Sequence, residues 1–388
     1  MRLIYIANAR IPTEKAHGYQ IMKMCESFAG RRFSVELIVP ERKNKIKEAP
    51  FVFYDLKENF KIRKIKCFDF IGAFPKWGRV SFWLQNVFFN FYLFFAKLEK
   101  DVVFYTRSAL VVLVLRLRGR KVFFESHSIA KNRKVGHKFL LGKKARIIAL
   151  TKEMKRIYCQ LGFNRENILV APDGVDLKIF GGEISKEEAE MKTNLPADPP
   201  VGQAGKKIIG YFGRFRTMGE DKGLAGIIET LVVLPKEVCL LAVGGSLAEI
   251  DFYKNLAVKN SVSDRVIFKT AVARTELPFY QQACDILLMP FPDTEHYRFY
   301  MSPLKMFEYM ASERPIIATD LPSIREVLNE KSSVLIKPDN PNELAVVIKK
   351  LVHNPVFGAA LAKQARMDAE NYTWEKRAEK ISQFIKSK

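Results

Sequence analysis

Short apolar runs rich in β-branched and aromatic side chains recur along the chain, and stretches with helical spacing separate them. Met1–Ala9 and Phe33–Pro40 read as strands. Between them lie a polar loop holding Pro12 and Gly18 and a helical stretch, Tyr19–Phe28. Asp101–Tyr105, Lys121–Phe124, Ala145–Leu150 and Ile168–Ala171 continue the series. The second half repeats it with Lys207–Phe212, Val238–Gly244, Arg265–Lys269, Ile286–Pro290, Ile316–Thr319 and Ser333–Ile336. Continuous apolar strands alternating with helices predict parallel sheets covered on both faces.

The fold class expected is α/β, with two doubly wound Rossmann-like domains facing each other across a cleft. The predicted boundaries are 1–180 for the first domain and 207–370 for the second. A polar Gly- and Pro-rich linker, 181–206, with a helical turn at Lys186–Lys192 as an option, joins them, and an amphipathic helix at 371–388 packs back toward the first domain. In such sheets ligands bind outside the carboxyl ends of the strands. Residues just after a strand therefore carry weight.

Charge divides the chain unevenly. Of a net +22, residues 1–180 hold 36 Lys and Arg against 15 Asp and Glu, a net of +21. The first domain thus faces something anionic (a membrane surface, an acidic substrate or nucleic acid) or is a well-solvated basic face. Val80–Ala96, VSFWLQNVFFNFYLFFA, has no formal charge but contains Gln85, Asn86 and Asn90. It reads as a buried core helix, with an interfacial helix touching lipid as the alternative. The opening run LIYIANA is too short for the apolar region of a signal peptide. Five scattered cysteines without a CxxC pair point to reduced thiols in a cytosolic protein, not to a disulfide framework or a zinc site.

Ser302-Pro303 reads as a helix start, with Ser302 as cap and Pro303 at the first helical position. Such a helix points free N–H groups at a bound phosphate, and Glu308, about one and a half turns in, reaches a ribose hydroxyl. The residues alone leave a plain, well-capped surface helix as the alternative. The whole segment SPLKMFEYMASERPIIATDLP, however, closely resembles the donor site of the retaining group 1 glycosyltransferases (family 4, GT-B fold). Further stretches are similar in the same order: IPTEKAHGYQIMKMCESFA with Gly18, VFFESHS with His127, ILVAPDGVDLKIF, IIGYFGRFRTMGEDKGL with Gly213, Arg214 and Lys222, and DILLMPF.

The resemblance implies roles residue by residue. Arg214 and Lys222 neutralise the departing diphosphate, since preorganised cations offset charge that grows in the transition state. Ser302, Pro303 and Leu304 form the phosphate-facing turn with Lys305 beside it, Glu308 binds the ribose, and Gly18 lets backbone approach the donor. His127 contacts the transferred sugar. One departure stands out: Tyr300 occupies the place of the family's first glutamate, so its hydroxyl, Asp293 or Glu295 stands in, or the site works without that carboxylate. The Arg214-to-Lys222 spacing is also long, which predicts an extended loop over 215–221. No Asp-x-Asp pair occurs, and neither metal nor cofactor is expected.

The function implied is retaining transfer of a hexosyl group from a UDP- or GDP-linked nucleotide sugar to a lipid-linked or saccharide acceptor, in glycolipid or polysaccharide synthesis of the cell envelope. The protein would be cytoplasmic, peripheral at an anionic inner membrane surface, with no nucleic acid partner. A GT-B sugar-nucleotide epimerase and a basic nucleic-acid-binding protein are the alternatives.

Overall fold

The computed structural model describes residues 1–129, 134–182, 184–195, 206–217 and 219–387. Much of the expected linker (196–205) and Met218 of the expected extended loop lie outside the described residues. The chain divides into two compact units, one made of Met1–Pro172 with Trp374–Lys388, the other of Asp173–Thr373.

The first unit is built on seven strands: β1 (Arg2–Ile6), β2 (Ser34–Pro40), β3 (Lys61–Ile65), β4 (Val103–Thr106), β5 (Val122–Ser126), β6 (Arg146–Ala149) and β7 (Ile168–Val170). Their order is β3-β2-β1-β4-β5-β6-β7, all parallel. Leu3 pairs with Val35 on one side and Val103 on the other, so the order reverses at β1. The apolar runs follow from this plan: β1, β4 and β5 are covered on both faces and are almost wholly buried. The sequence KIRKI of β3 was not expected to be a strand. It is an edge strand whose lysines point to solvent, which disguises the apolar pattern.

The second unit contains β8 (Lys207–Phe212), a short antiparallel ribbon of β9 (Arg216–Thr217) and β10 (Glu220–Asp221), then β11 (Val238–Gly245), β12 (Val266–Thr270), β13 (Ile286–Met289), β14 (Ile316–Thr319) and β15 (Val334–Ile336). Its main sheet runs β12-β11-β8-β13-β14-β15, again parallel, and reverses at β8. One core cluster joins Phe212, Leu241, Met289, Phe307 and Tyr309 to Val175 and Phe180.

Three expectations need correction here. The first boundary falls at Pro172/Asp173 and not at 180, because Val175 and Phe180 bury themselves in the second unit's core. The stretch expected as linker is partly core: the helical turn allowed there is a helix, Lys186–Thr193, capped by Ser185, and Ala189 and Leu195 join the same cluster. Thr373, placed in the terminal helix by the sequence, still belongs to the second unit; it bridges to Val175. The helix Trp374–Lys386 packs on Ala16–Gly30 in the first unit, with Trp374 fully buried against Tyr19.

A fourth correction concerns the helix Arg79–Phe95. It is not a buried core helix. Phe89 and Leu93 face the core, but Trp83, Phe91 and Phe95 are 61, 58 and 70% exposed.

Candidate functional site

Loops from several strands meet at the carboxyl end of the second sheet, where its order reverses. Gly213 follows β8 with φ +113°, and a Cβ there would stand 3.5 Å from Lys305 Cε. Gly223 has φ +93°, and a Cβ on it would sit 1.8 Å from the Pro290 carbonyl oxygen, just past β13. Only glycine permits that approach.

The expected long loop after Arg214 folds as the β9–β10 ribbon. Its closure brings the chain back: the Lys222 amide donates to the Phe215 carbonyl at 3.1 Å. Asp221 anchors the exit, accepting from the Gly223 amide at 2.6 Å and from the Tyr253 hydroxyl. The extra residues therefore leave Lys222 beside Arg214 despite the spacing.

The helix Leu304–Ala311 starts in the same region. Pro303, not Ser302, is its N-cap residue, and no side chain caps its first turn. The Ser302 hydroxyl is instead taken by the Asp173 amide, at 2.8 Å. The cap expected from sequence is thus spent on tying the start of the second unit to this turn. The helix N-terminus is left with orphan amides and its positive dipole end.

Lys305 is the most unusual group. Its ammonium nitrogen is buried with no hydrogen-bond partner among the described residues, lying 3.8 Å from the Tyr211 ring centroid and 5.1 Å from that of Phe291. Burial pushes its pKa well down, the nearby charge of Lys222 pushes further, and Glu308 opposes them. Lys222 is lowered too, by burial first and then by Arg214, with Glu249 opposing. His296 is lowered by burial and by Lys222. These basic groups repel one another.

Glu308 is buried, and its Oε1 accepts from Arg274 at 2.6 Å. Its second oxygen accepts no hydrogen bond from the described residues. Tyr300 is also buried, and its hydroxyl donates to Glu295 Oε1 at 2.8 Å. Asp293, the other candidate stand-in, is engaged by Arg298 at 2.7 Å. A carboxylate, that of Glu295, therefore does sit beside Tyr300.

The two site residues expected in the first unit have different surroundings. Gly18 lies in the first turn of Ala16–Gly30. A Cβ on it would meet the Tyr54 hydroxyl at 2.2 Å, and its amide already donates to the Lys15 carbonyl. Its lack of a side chain is explained by packing against Tyr54, which itself bonds to both backbone groups of Thr13. His127 follows β5, at the carboxyl edge of the first sheet. Its Nε2 lies 2.5 Å from Glu125 Oε1. The carboxylate accepts, so Nε2 carries the proton and Nδ1 keeps a lone pair. Burial and Arg107 hold the imidazole pKa down at about 4 against the pull of Glu125.

Glu125 itself is buried beneath four partners: His127, Arg107 at 3.8 Å, Arg377 at 3.2 Å and the Tyr105 hydroxyl. Its pKa lies well below the ordinary carboxylate value: burial works to raise it, and Arg377, His127 and Arg107 outweigh that. Sequence reasoning found neither this carboxylate nor Arg274 and His296. No spacing rule links them to their partners, although the ESH order in VFFESHS does place Glu125 and His127 on the same side of a strand.

Two parallel sheets of seven and six strands, each reversing its strand order, make up the GT-B plan. The solved structures agree. Sucrose-phosphate synthase of Thermosynechococcus elongatus matches with a TM-score of 0.77 at 20% identity, over 99% of this chain and 98% of that one. HepE of Anabaena, solved with UDP and glucose, matches with a TM-score of 0.74 at 14% identity, over 100% and 99%. Residues 206–354, within the second unit, match the family model described as Glycosyl transferases group 1. D-inositol 3-phosphate glycosyltransferase of Corynebacterium urealyticum is 24% identical over 58% of this chain. The chain spans about half of that relative's length, 52%.

Proposed function

We propose that the chain is a retaining glycosyltransferase of family 4 that takes a nucleotide sugar, UDP- or GDP-linked, as donor. The observation that carries this reading is the buried, unpartnered Lys305 ammonium beside Lys222 and the uncapped start of Leu304–Ala311. A diphosphate supplies the missing charge to all three. The free Glu308 oxygen suits a ribose hydroxyl while Arg274 holds the other. UDP bound to HepE, a structural neighbour, supports the choice of donor class.

In the reaction the acceptor oxygen bonds to the anomeric carbon of a hexosyl group as the carbon–diphosphate bond breaks. The acceptor proton passes to the departing phosphate oxygen, and no covalent enzyme intermediate is invoked. Arg214, Lys222, Lys305 and the helix dipole stabilise the leaving charge, and they make a metal unnecessary. The basic first unit takes a lipid-linked or saccharide acceptor of the cell envelope, at the cytoplasmic membrane face.

The test is a thermal-shift screen of UDP-, GDP- and ADP-sugars, since a ligand that binds only the folded state raises Tm. One donor class is expected to raise it, Glu308→Ala to remove the shift, and EDTA to leave turnover intact. No shift with any sugar nucleotide, or an unchanged shift in Glu308→Ala, would refute the site.

A further inference from the structure

The helix Arg79–Phe95 is arranged inside out. Its polar residues face the protein: the Ser81 hydroxyl donates to the Phe74 carbonyl at 2.5 Å, and Gln85 accepts from the Phe70 amide at 3.0 Å. Both are fully buried, as are Phe89 and Leu93. The outward stripe, at three- and four-residue spacing, is Val80, Trp83, Val87, Phe91, Phe94 and Phe95, and every one is exposed. Surface helices of soluble proteins place polar residues there. Phe74 and Trp77, stacked with centroids 4.5 Å apart, extend the apolar surface from the preceding turn, and Leu117 lies exposed at the end of a neighbouring helix. A contiguous apolar surface of this kind marks a contact with another molecule or with lipid.

Charge indicates which. The stripe has no ionisable residue, but both its ends are basic. Lys76 and Arg79 stand exposed at the start. At the other end Arg118 donates to the Leu93 carbonyl at 2.9 Å, Arg63 to the Lys97 carbonyl at 3.1 Å and Arg120 to the Leu98 carbonyl at 3.4 Å. These arginines form a collar around the helix end, with Lys97 and Lys100 exposed beside it. Aromatic rings between cations match a headgroup layer: Trp and Phe settle at the acyl boundary, and Lys and Arg meet anionic headgroups. At 17 residues the helix is shorter than the roughly 20 needed to span a bilayer.

We infer that the outward face of Arg79–Phe95 is a membrane-docking surface that lies in the headgroup region of an anionic lipid bilayer, with Trp83, Phe91 and Phe95 inserted. The inference rests on the membrane-side reading of the first unit given above and supplies the surface that reading lacks. Its test uses no donor or acceptor, so failure of glycosyl transfer leaves it untouched.

The experiment uses the full chain with vesicles of phosphatidylcholine alone or mixed with phosphatidylglycerol. Trp374 is fully buried, so Trp77 and Trp83 report the surface. With anionic vesicles their emission is expected to shift to the blue and to be quenched by brominated acyl chains. The double substitution Phe91→Ser with Phe95→Ser should weaken vesicle binding about tenfold or more, from the lost apolar burial alone. Both side chains point away from the core, and circular dichroism checks the fold. An unchanged emission with anionic vesicles overturns the inference. So does equal binding to neutral vesicles, and so does lipid-free self-association that the double variant abolishes, which would make the face an interface between copies.

Discussion

Both sheets bury charge at their carboxyl ends, but in opposite states. In the first unit the Glu125 carboxylate is enclosed by His127, Arg107, Arg377 and the Tyr105 hydroxyl. In the second, the Lys305 ammonium is buried with no hydrogen-bond partner and faces further positive charge on Lys222. Taking an ion out of water costs several kcal/mol, repaid only by good partners. The first cluster is repaid within the fold and holds structure. The second is not, and on the proposed function a donor diphosphate would remove its deficit. The difference marks the second cluster as the better candidate for a charged ligand without reference to any relative.

Breaking the closed cluster should give the largest effect. Glu125→Gln leaves Arg377 and Arg107 facing a neutral group, and a loss of about 3–5 kcal/mol of stability is expected, read by urea unfolding. Lys305→Met should do the reverse to the apo protein, leaving its Tm unchanged or higher. It should nevertheless reduce kcat by about 10²–10³-fold, the scale of losing one group aimed at developing charge. If both substitutions destabilise equally, the contrast between the clusters fails. Gly223→Ala should cost about 1–3 kcal/mol from its left-handed backbone, plus the clash with the Pro290 carbonyl, and should lower donor affinity with it.

The smallest effect sharpens the comparison through pH. The folded His127 takes a proton only near pH 4, against an ordinary value of 6.5. Its contribution to stability is thus complete above pH 6.5 and is lost as pH falls toward 4. Glu125, held low, loses its contribution in the same acid direction. The imidazole resonances of His127 should show no titration between pH 8 and 5, and His127→Asn should flatten the fall of Tm in that acid range.

The strands were legible because a parallel strand covered on both faces must be apolar throughout, as in IIGYF and DILLM. Lys61–Ile65 was not, since an edge strand is free to carry lysines. Val80–Ala96 was misjudged for a related reason. Composition gives a helix's apolar content but not which side the protein covers, and here the protein covers the polar side. At the site, the motif pointed to Arg214, Lys222, Lys305 and Glu308, which the structure gathers around one sheet end. The capping role of Ser302 was misread because its hydroxyl partner, Asp173, lies 129 residues away. Long-range partners such as Arg274 for Glu308 and Arg377 for Glu125 leave no trace in local sequence.

That last pair has a consequence for how the protein is made. The second unit is one continuous stretch, Asp173–Thr373, whereas the first needs residues from 374 onward. On the ribosome, residues 1–172 emerge early but without Arg377 to neutralise Glu125 or Trp374 to fill the space beside Tyr19. The second unit can finish folding while the first is still waiting. The earlier part of the chain is then completed last, and a product stopped before residue 374 exposes an unfinished core to proteases and chaperones.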